Sequence, residues 1–409
     1  MALEKTVKTP AKYPSEQGIT CMTTQQLSLR QQIELELIKG DAFLYFELML
    51  KLSESPSAGI LYPSLAPYFS LFIIESYKYL HRSFPAYNES LSDTIRPIIT
   101  SSRMRVKFFD DTQNEIEGTL DIFKWIKDFH NEWHIGQHKG LLAPIKRVLQ
   151  DDLGVTFYTG HIIGSTHTGI LNLGYSKDDL PTRSEDISPY ISQLSFNVGN
   201  ELGLYMTRVL SFPEMAPSDA DFGRFIYKIK DDQLKYKDEK SDRLLQHVFN
   251  GPSSETINLS LLLFLTHVNF LLYILSNLVV EQHYTIFKLK YIVLYHLRSS
   301  LEKLYNHDQS NRILTDRSRH HLEAIISDLQ FRELTEQRLF RNILVHYGIG
   351  RDLERDLSLN TRFFGLTELF FNGHSYEVVF ALVETQIIRV STILEDWLNW
   401  KIRAEGLHN

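Results

Sequence analysis

The chain has 409 residues, of which 43% are hydrophobic and 23% are charged, and this composition excludes a disordered or collagen-like polymer. Lysine and arginine total 43 against 50 aspartates and glutamates, a formal net charge of -7, so a globally basic nucleic-acid-binding surface is excluded although a local basic site is not. A single cysteine, Cys21, can form neither an internal disulfide nor a Cys-based zinc site, and it predicts a reducing, cytoplasmic compartment.

The N-terminal region is predicted to be mostly helical with a small β element. Residues 1–22 are expected to be a flexible N-terminus, since the first twenty contain no apolar run that could form a signal-peptide core. The elements that the patterns predict next are a helix at 24–52 ended by SESPSAG, an apolar stretch at 65–80, a hairpin formed by 105–109 and 116–120, a helix at 121–149, strands or loops at 155–173, and a helix at 187–210.

A candidate domain boundary lies near residue 250. Residues 228–243 are almost entirely polar with mixed charge, and Gly-Pro-Ser-Ser follows at 251–254. This predicts an N-terminal domain at 23–250 and a C-terminal bundle of four to five helices at 251–409. The predicted bundle helices are 257–280, 285–305, 316–330, 331–347 and 376–402. The fold class is therefore mainly α.

Residues 257–280 carry no charged side chain and are long enough to cross a bilayer. Their polar residues fall within an arc of roughly 100° on a helical wheel. These are Asn258, Thr266, Asn269, Ser276 and Asn277. Three asparagines on one stripe are rare in a lipid-facing helix, so the pattern favours a buried bundle helix over membrane insertion, and we expect no membrane association.

The most informative residues are Arg341, Asn342 and His346 in the segment RNILVHY. An Arg-x4-His pair alone is a weak signal, because chance produces about one in a chain of this composition. Three features of the context strengthen it. Asn342 follows the arginine directly, Tyr347 and a glycine follow the histidine, and a long amphipathic helix comes after the segment.

The segment FRNILVHYG within a C-terminal helical region resembles the HEPN superfamily, whose signature is Arg, a polar residue, a few variable residues and His. The resemblance covers about residues 255–405. It implies a four- to five-helix bundle that dimerises with its motifs facing each other and, in many members, metal-independent endoribonuclease activity without a cofactor. Arg341 and His346 would then be catalytic and Asn342 the polar motif residue.

The resemblance also bears on regulation. Members that are regulated by tyrosine adenylylation have the tyrosine two residues after the histidine, whereas Tyr347 follows His346 immediately, so that regulation is not implied. Many proteins with such bundles act in toxin or antiviral defence, and a conditional role of that kind is expected by analogy. The N-terminal region would bind a regulatory protein, a ligand or the substrate.

Helix geometry is compatible with this chemistry. Arg341 and His346 lie about 140° apart on a helical wheel, with Asn342 between them. Cleavage of RNA by its own 2′-hydroxyl needs a group that moves protons, which histidine supplies, and a cation that holds the phosphate, which arginine supplies. Since one motif provides one histidine, two copies of the chain would provide both an acid and a base. Arg338, Tyr347 and Arg351 would contact the RNA.

A structural interpretation remains open. Arg341 could pair with Glu336 or Asp352, Asn342 could close a helix end, and His346 could be an interior histidine. Other arginines near the motif are interleaved with acids, so they fit an ion-pair face as well as an RNA-binding face. The alternative function is a non-catalytic HEPN-like scaffold for dimerisation or RNA binding.

Other histidines form weaker candidates. His130, His134 and His138 share one helical face, as in transition-metal sites, but the spacing is unspecific and a polar helix face or a partner contact is favoured. His161 and His167 flank GHIIGSTHTG, which matches no phosphate-binding loop and reads as a turn-rich connector.

Overall fold

The computed structural model describes residues 27–110, 116–136, 151–176, 179, 187–212, 227–249, 255–277 and 284–399, with the backbone alone described at 130–136, 187–189, 192 and 242. The predicted flexible N-terminus and Cys21 lie outside these residues. The fold is mainly α with one small three-stranded sheet, as the sequence predicts.

The first half of the chain is helical around this sheet. Helix α1 begins at a capping box in which the Ser28 hydroxyl accepts from the Gln31 amide at 3.2 Å and the Gln31 side chain accepts from the Ser28 amide at 3.1 Å. The helices in this half are α1 (Leu29–Ser53), α2 (Ala58–Ser83), α3 (Arg96–Met104), α4 (Ile116–Gly136), α5 (Thr166–Leu173), α6 (Ile187–Leu210) and α7 (Ser241–Leu245).

The sheet contains β1 (Leu153–Tyr158), β2 (His161–Ser165) and β3 (Leu234–Glu239). Its order is β2-β1-β3 and both pairs are antiparallel, with Val155 opposite Ser165 on one side and Lys237 on the other. The strands predicted within 155–173 are thus confirmed in their first part, while the rest forms α5. Strand β3 lies in the polar segment that the sequence pattern places next to the candidate domain boundary, and its mixed polar residues suit an exposed sheet edge.

The predicted hairpin at 105–120 is wrong. Arg105–Lys107 forms a single 3-10 turn, and 116–120 is the start of α4. Ile116, Phe123 and Ile126 are all buried, and their spacing of seven and three residues is that of one helix face. The five residues 116–120 are too few to show this period. The residues between the two runs, 111–115, lie outside the described part of the chain.

The C-terminal residues form a helical bundle, as predicted, but the described residues contain seven helices there and not the expected four to five. The helices are α8 (Glu255–Asn269), α9 (Tyr284–Asn311), α10 (Asp316–Ile326), α11 (Leu329–Thr335), α12 (Arg338–His346), α13 (Leu366–Phe370) and α14 (Tyr376–Leu398). Helix α14 packs against α8, α9 and α10, and α9 packs against α12. Three helices occupy residues 316–347, where two are predicted. Asp328 starts α11 as a separate helix, because its side chain caps the helix by accepting from the Phe331 amide at 2.7 Å.

Helix α8 continues through a π-helical turn, Phe270–Ile274, to Asn277. Among the described residues, two helices are long and apolar enough to cross a membrane, Ala58–Ser83 and Glu255–Asn277, and most of each lies inside the fold, as in core helices of soluble proteins. Asn258, Thr266 and Asn269 of the polar stripe are buried, and both asparagines are hydrogen-bonded: Asn258 donates to the Leu245 carbonyl at 2.6 Å, and Asn269 donates to the Ile162 carbonyl at 3.0 Å.

One hydrophobic core joins residues on both sides of position 250. Helix α2 packs against α12, and α1 packs against α9. The segment that carries the Arg-Asn-His motif therefore lies directly against helices from the N-terminal region.

Candidate functional site

Helix α12 places Asn342 and His346 on one face. The residues are four positions apart, so they lie one turn from each other. Phe340, Ile343 and Leu344 are buried and fix the opposite face in the core. The helix ends at His346, and Tyr347 adopts the left-handed conformation at the end, with φ 60°.

A cleft of about 390 Å³ lies between this face and α2. Both halves of the chain contribute to its lining, and its polar side chains include a carboxylate, an imidazole, an amide and two cations. The lining residues are Glu75, Lys78, Tyr79, Arg82, Asn342, His346 and Gly348.

The imidazole of His346 is paired with a buried carboxylate. Its Nδ1 lies 2.5 Å from Oε2 of Glu75; the His346 side chain is 45% exposed, and that of Glu75 is only 3% exposed. Glu75 also forms an ion pair with Arg103 of α3.

The electrostatics of this pair set the tautomer of the imidazole. Burial alone raises the pKa of Glu75, but the hydrogen bond from His346 and the charges of Arg103, His346 and Lys78 outweigh it, so the pKa lies below its ordinary value. Because the carboxylate is ionised and can only accept, Nδ1 of His346 carries the hydrogen. Nε2 is then the nitrogen that can exchange a proton in the cleft.

Two cations from α2 line the same cleft as the imidazole. Lys78 and Arg82 are one helical turn apart, and both are exposed. The Lys78 ammonium is 3.9 Å from Oε1 of Glu75, and the Arg82 guanidinium lies 5.8 Å from the Tyr79 ring centroid. This arrangement can hold a phosphate next to a proton-transfer group.

Arg341 does not line the cleft, but it contacts Asn342, which does. Its Nη1 donates to Oδ1 of Asn342 at 2.7 Å, and its guanidinium lies 4.9 Å from the Tyr295 ring centroid. Its Nη2 is 4.0 Å from Oδ2 of Asp110, and the side chain is only 16% exposed. The acid near Arg341 is therefore Asp110, whereas Glu336 pairs with Arg332 at 2.7 Å.

Asp110 extends this network to α9. It accepts from Nδ1 of His296 at 2.7 Å and from Ser299 at 2.9 Å. Burial raises the pKa of Asp110, but hydrogen bonding and charge from His296 lower it more, to about 2. Burial lowers the pKa of His296 to about 4, against the opposing effect of Asp110, so at neutral pH a neutral imidazole donates to a carboxylate.

The three residues expected to contact RNA lie elsewhere. Tyr347 is 1% exposed, and its hydroxyl donates to Oδ2 of Asp41 at 2.6 Å inside the core. Arg338 and Arg351 are exposed but do not contribute to the cleft. Other arginines near the motif form ion pairs, for example Arg362 with Glu377 at 2.8 Å.

The other candidates from the sequence are separate from this cleft. The side chains of His130, His134 and His138 lie outside the described part of the chain, and among the described residues no group of three or more His, Cys, Asp or Glu is arranged to hold a metal ion. His161, at the start of β2, lies 2.5 Å from Glu395, and His167 is fully buried in α5.

Sequence reasoning missed Glu75, Lys78, Arg82 and Arg103. A signal for Glu75 was present, because it interrupts the apolar run Ser-Leu-Phe-Ile-Ile-Glu of α2 and is therefore a carboxylate on a core helix. Such a residue is rarely left without a partner.

No protein-family model, no curated protein and no solved structure matches this chain.

Proposed function

We propose that the protein is a metal-independent endoribonuclease of the HEPN type. The observation that carries the proposal is the half-exposed imidazole of His346, held by the buried carboxylate of Glu75 in a cleft that also contains Lys78 and Arg82. A histidine oriented by a carboxylate, in a cleft that two cations also line, suits acid–base cleavage of a phosphodiester. The resemblance of the Arg-Asn-x3-His motif to HEPN proteins supports the same reaction.

Each residue has a defined role in this proposal. Nε2 of His346 takes the proton from the 2′-hydroxyl or gives one to the leaving 5′-oxygen, while Lys78 and Arg82 hold the phosphate as negative charge develops on its oxygens. Asn342 orients the phosphate or the imidazole. Arg341 is a positioning residue that holds Asn342, which differs from the phosphate-holding role that the chemistry of the motif predicts for it.

The reaction needs both an acid and a base, and one cleft contains one such imidazole. We therefore include in the proposal a homodimer whose two motifs face each other across a two-fold axis. Sedimentation of the purified chain tests this part. A protein that remains monomeric at the concentrations where it cleaves RNA would remove the dimer from the proposal.

Cleavage of a labelled structured RNA in excess EDTA tests the activity. The wild type is expected to produce 2′,3′-cyclic phosphate and 5′-hydroxyl ends, and a 2′-deoxy substitution at the cut site is expected to block cleavage. His346→Ala removes the proton-transfer group and is expected to abolish cleavage, whereas His374→Ala, which changes an exposed histidine outside the cleft, is the matched control and is expected to cleave normally.

The same assay tests the role of Arg341. If it acts through Asn342, Arg341→Ala and Asn342→Ala should each reduce cleavage, and the double variant should be little worse than either. Unchanged cleavage in His346→Ala would remove the motif from the mechanism. RNA that is bound but not cleaved under any condition would favour the non-catalytic scaffold.

A further inference from the structure

The turn that follows His346 is held by two buried carboxylates of α1. Asp41 and Glu34 lie seven residues apart, on the same face of the helix, and both are almost fully buried. Oδ2 of Asp41 accepts from the Tyr347 hydroxyl at 2.6 Å, and Oε1 of Glu34 accepts from the Ile349 amide at 2.6 Å. The two contacts enclose the single residue between Tyr347 and Ile349.

The Asp41 contact is itself part of a closed polar network. Lys288 forms an ion pair with Asp41, donates to the Tyr347 hydroxyl at 3.0 Å, and places its ammonium 4.1 Å from the Tyr347 ring centroid. Thr285 donates to the other oxygen of Asp41 at 2.6 Å. Every hydrogen-bonding atom of the carboxylate is therefore used.

The backbone at this turn needs such support. Tyr347 has φ 60° and ψ -11°, a left-handed conformation that is uncommon for a bulky side chain. The conformation directs the tyrosine ring into the core while the preceding residue, His346, points into the cleft. A residue in such a conformation persists only where surrounding contacts hold it, and here that residue lies next to the candidate catalytic histidine.

From this geometry we infer that the Asp41–Tyr347–Lys288 network is a positioning device that sets the imidazole of His346 against Glu75. The inference rests on the proposed function, because the positioning has its consequence in RNA cleavage. The network does not contact the substrate. It acts by fixing the direction in which the chain leaves α12.

Tyr347→Phe tests the inference, because it removes one hydroxyl and keeps the ring, the backbone and the Asp41–Lys288 pair. We expect kcat for RNA cleavage to fall roughly 10- to 100-fold with KM changed by less than about twofold, as for a small displacement of a reacting group. The matched control is Tyr68→Phe, which removes an equally buried hydroxyl bonded to His267 at 2.8 Å and is expected to leave kcat within about twofold of the wild type.

A second measurement does not depend on activity. In the full-length wild type, the Nδ1–H proton of His346, hydrogen-bonded to Glu75, is expected to give a low-field resonance that His346→Gln lacks. Tyr347→Phe and Asp41→Asn should shift or broaden this signal, and Tyr68→Phe should not. Unchanged kcat and an unchanged resonance in Tyr347→Phe would overturn the inference. A wild type that cleaves no RNA but whose resonance responds in this way would refute the nuclease and retain the positioning network.

Discussion

Replacing Glu75 by Gln is expected to separate the two roles of this carboxylate, in folding and in the site. The substitution keeps the shape of the side chain but removes the negative charge that Arg103 and His346 share. Glu75 is 3% exposed and the Arg103 side chain is 8% exposed, so the guanidinium would remain buried without its counter-ion. Breaking a buried pair in this way costs about 3–5 kcal/mol, and the retained amide oxygen places the expected loss near the lower end, about 3 kcal/mol.

The loss should depend on pH with a defined sign. The pKa of Glu75 in the folded protein is lower than its ordinary value of 4.5, so its contribution to the free energy of unfolding is complete above that value and is lost as pH falls below it. Urea denaturation of the wild type and of Glu75→Gln, from neutral to acidic pH, measures this contribution. The stability difference between wild type and Glu75→Gln should be largest at neutral pH and shrink once the carboxylate is protonated in both the folded and unfolded states.

RNA cleavage should fall on the order of 100-fold in Glu75→Gln. The Gln amide can present either its oxygen or its NH2 to Nδ1 of His346, so the imidazole loses the acceptor-only group that fixes its tautomer and the negative charge that stabilises its protonated form. Arg103→Met is the control: it also breaks the buried ion pair and should cost similar stability, but it leaves the carboxylate on His346 and should cleave within about tenfold of the wild type. A Glu75→Gln protein that is destabilised but cleaves as well as Arg103→Met would refute the orienting role.

Three further results are expected. Lys78→Gln and Arg82→Gln should each weaken RNA binding and reduce the slope of log affinity against log salt by about one, measured by fluorescence anisotropy, whereas unchanged slopes would place the phosphate elsewhere. Burial lowers the pKa of His267 to about 3, so the unfolded chain binds a proton that the folded chain does not between pH 6.5 and 3, and the free energy of unfolding falls by about 1.4 kcal/mol per pH unit as the pH drops through that range. In urea denaturation, the free energy of unfolding of His267→Gln should fall less steeply with decreasing pH than that of the wild type. Equal slopes in the two proteins would contradict this. Asn269→Leu leaves the Ile162 carbonyl and other buried groups without their partner and should cost about 3 kcal/mol by the same assay; a loss below about 1 kcal/mol would show that the site relaxes.

Long periodic segments allowed the helices to be predicted well. The helix predicted at 187–210 is α6 with the same bounds, and the bundle follows from the apolar face of α14, where Val383, Ile387, Val390 and Leu394 are buried. Short apolar runs did not allow helix and strand to be told apart, since the two runs predicted as a hairpin are a 3-10 turn and the start of α4.

The candidate site could be predicted only in the part that one helix carries. The spacing of Asn342 and His346 places them on one face whatever surrounds them. Glu75, however, reaches His346 across 271 positions of sequence, and that contact depends on how α2 packs against α12. The direction of the Arg341 side chain likewise depends on Tyr295 and Asp110, which the motif does not contain.

The packing of α1 and α2 against the bundle has a consequence for engineering the chain. Residues 255–399 on their own would retain the Arg-Asn-x3-His motif but would lack Glu34, Asp41 and Glu75, the three acids that contact its last turn and the residues after it. Grafting that segment onto an unrelated carrier would therefore transfer the signature without the groups that orient it. A transferable unit must begin no later than the first helix.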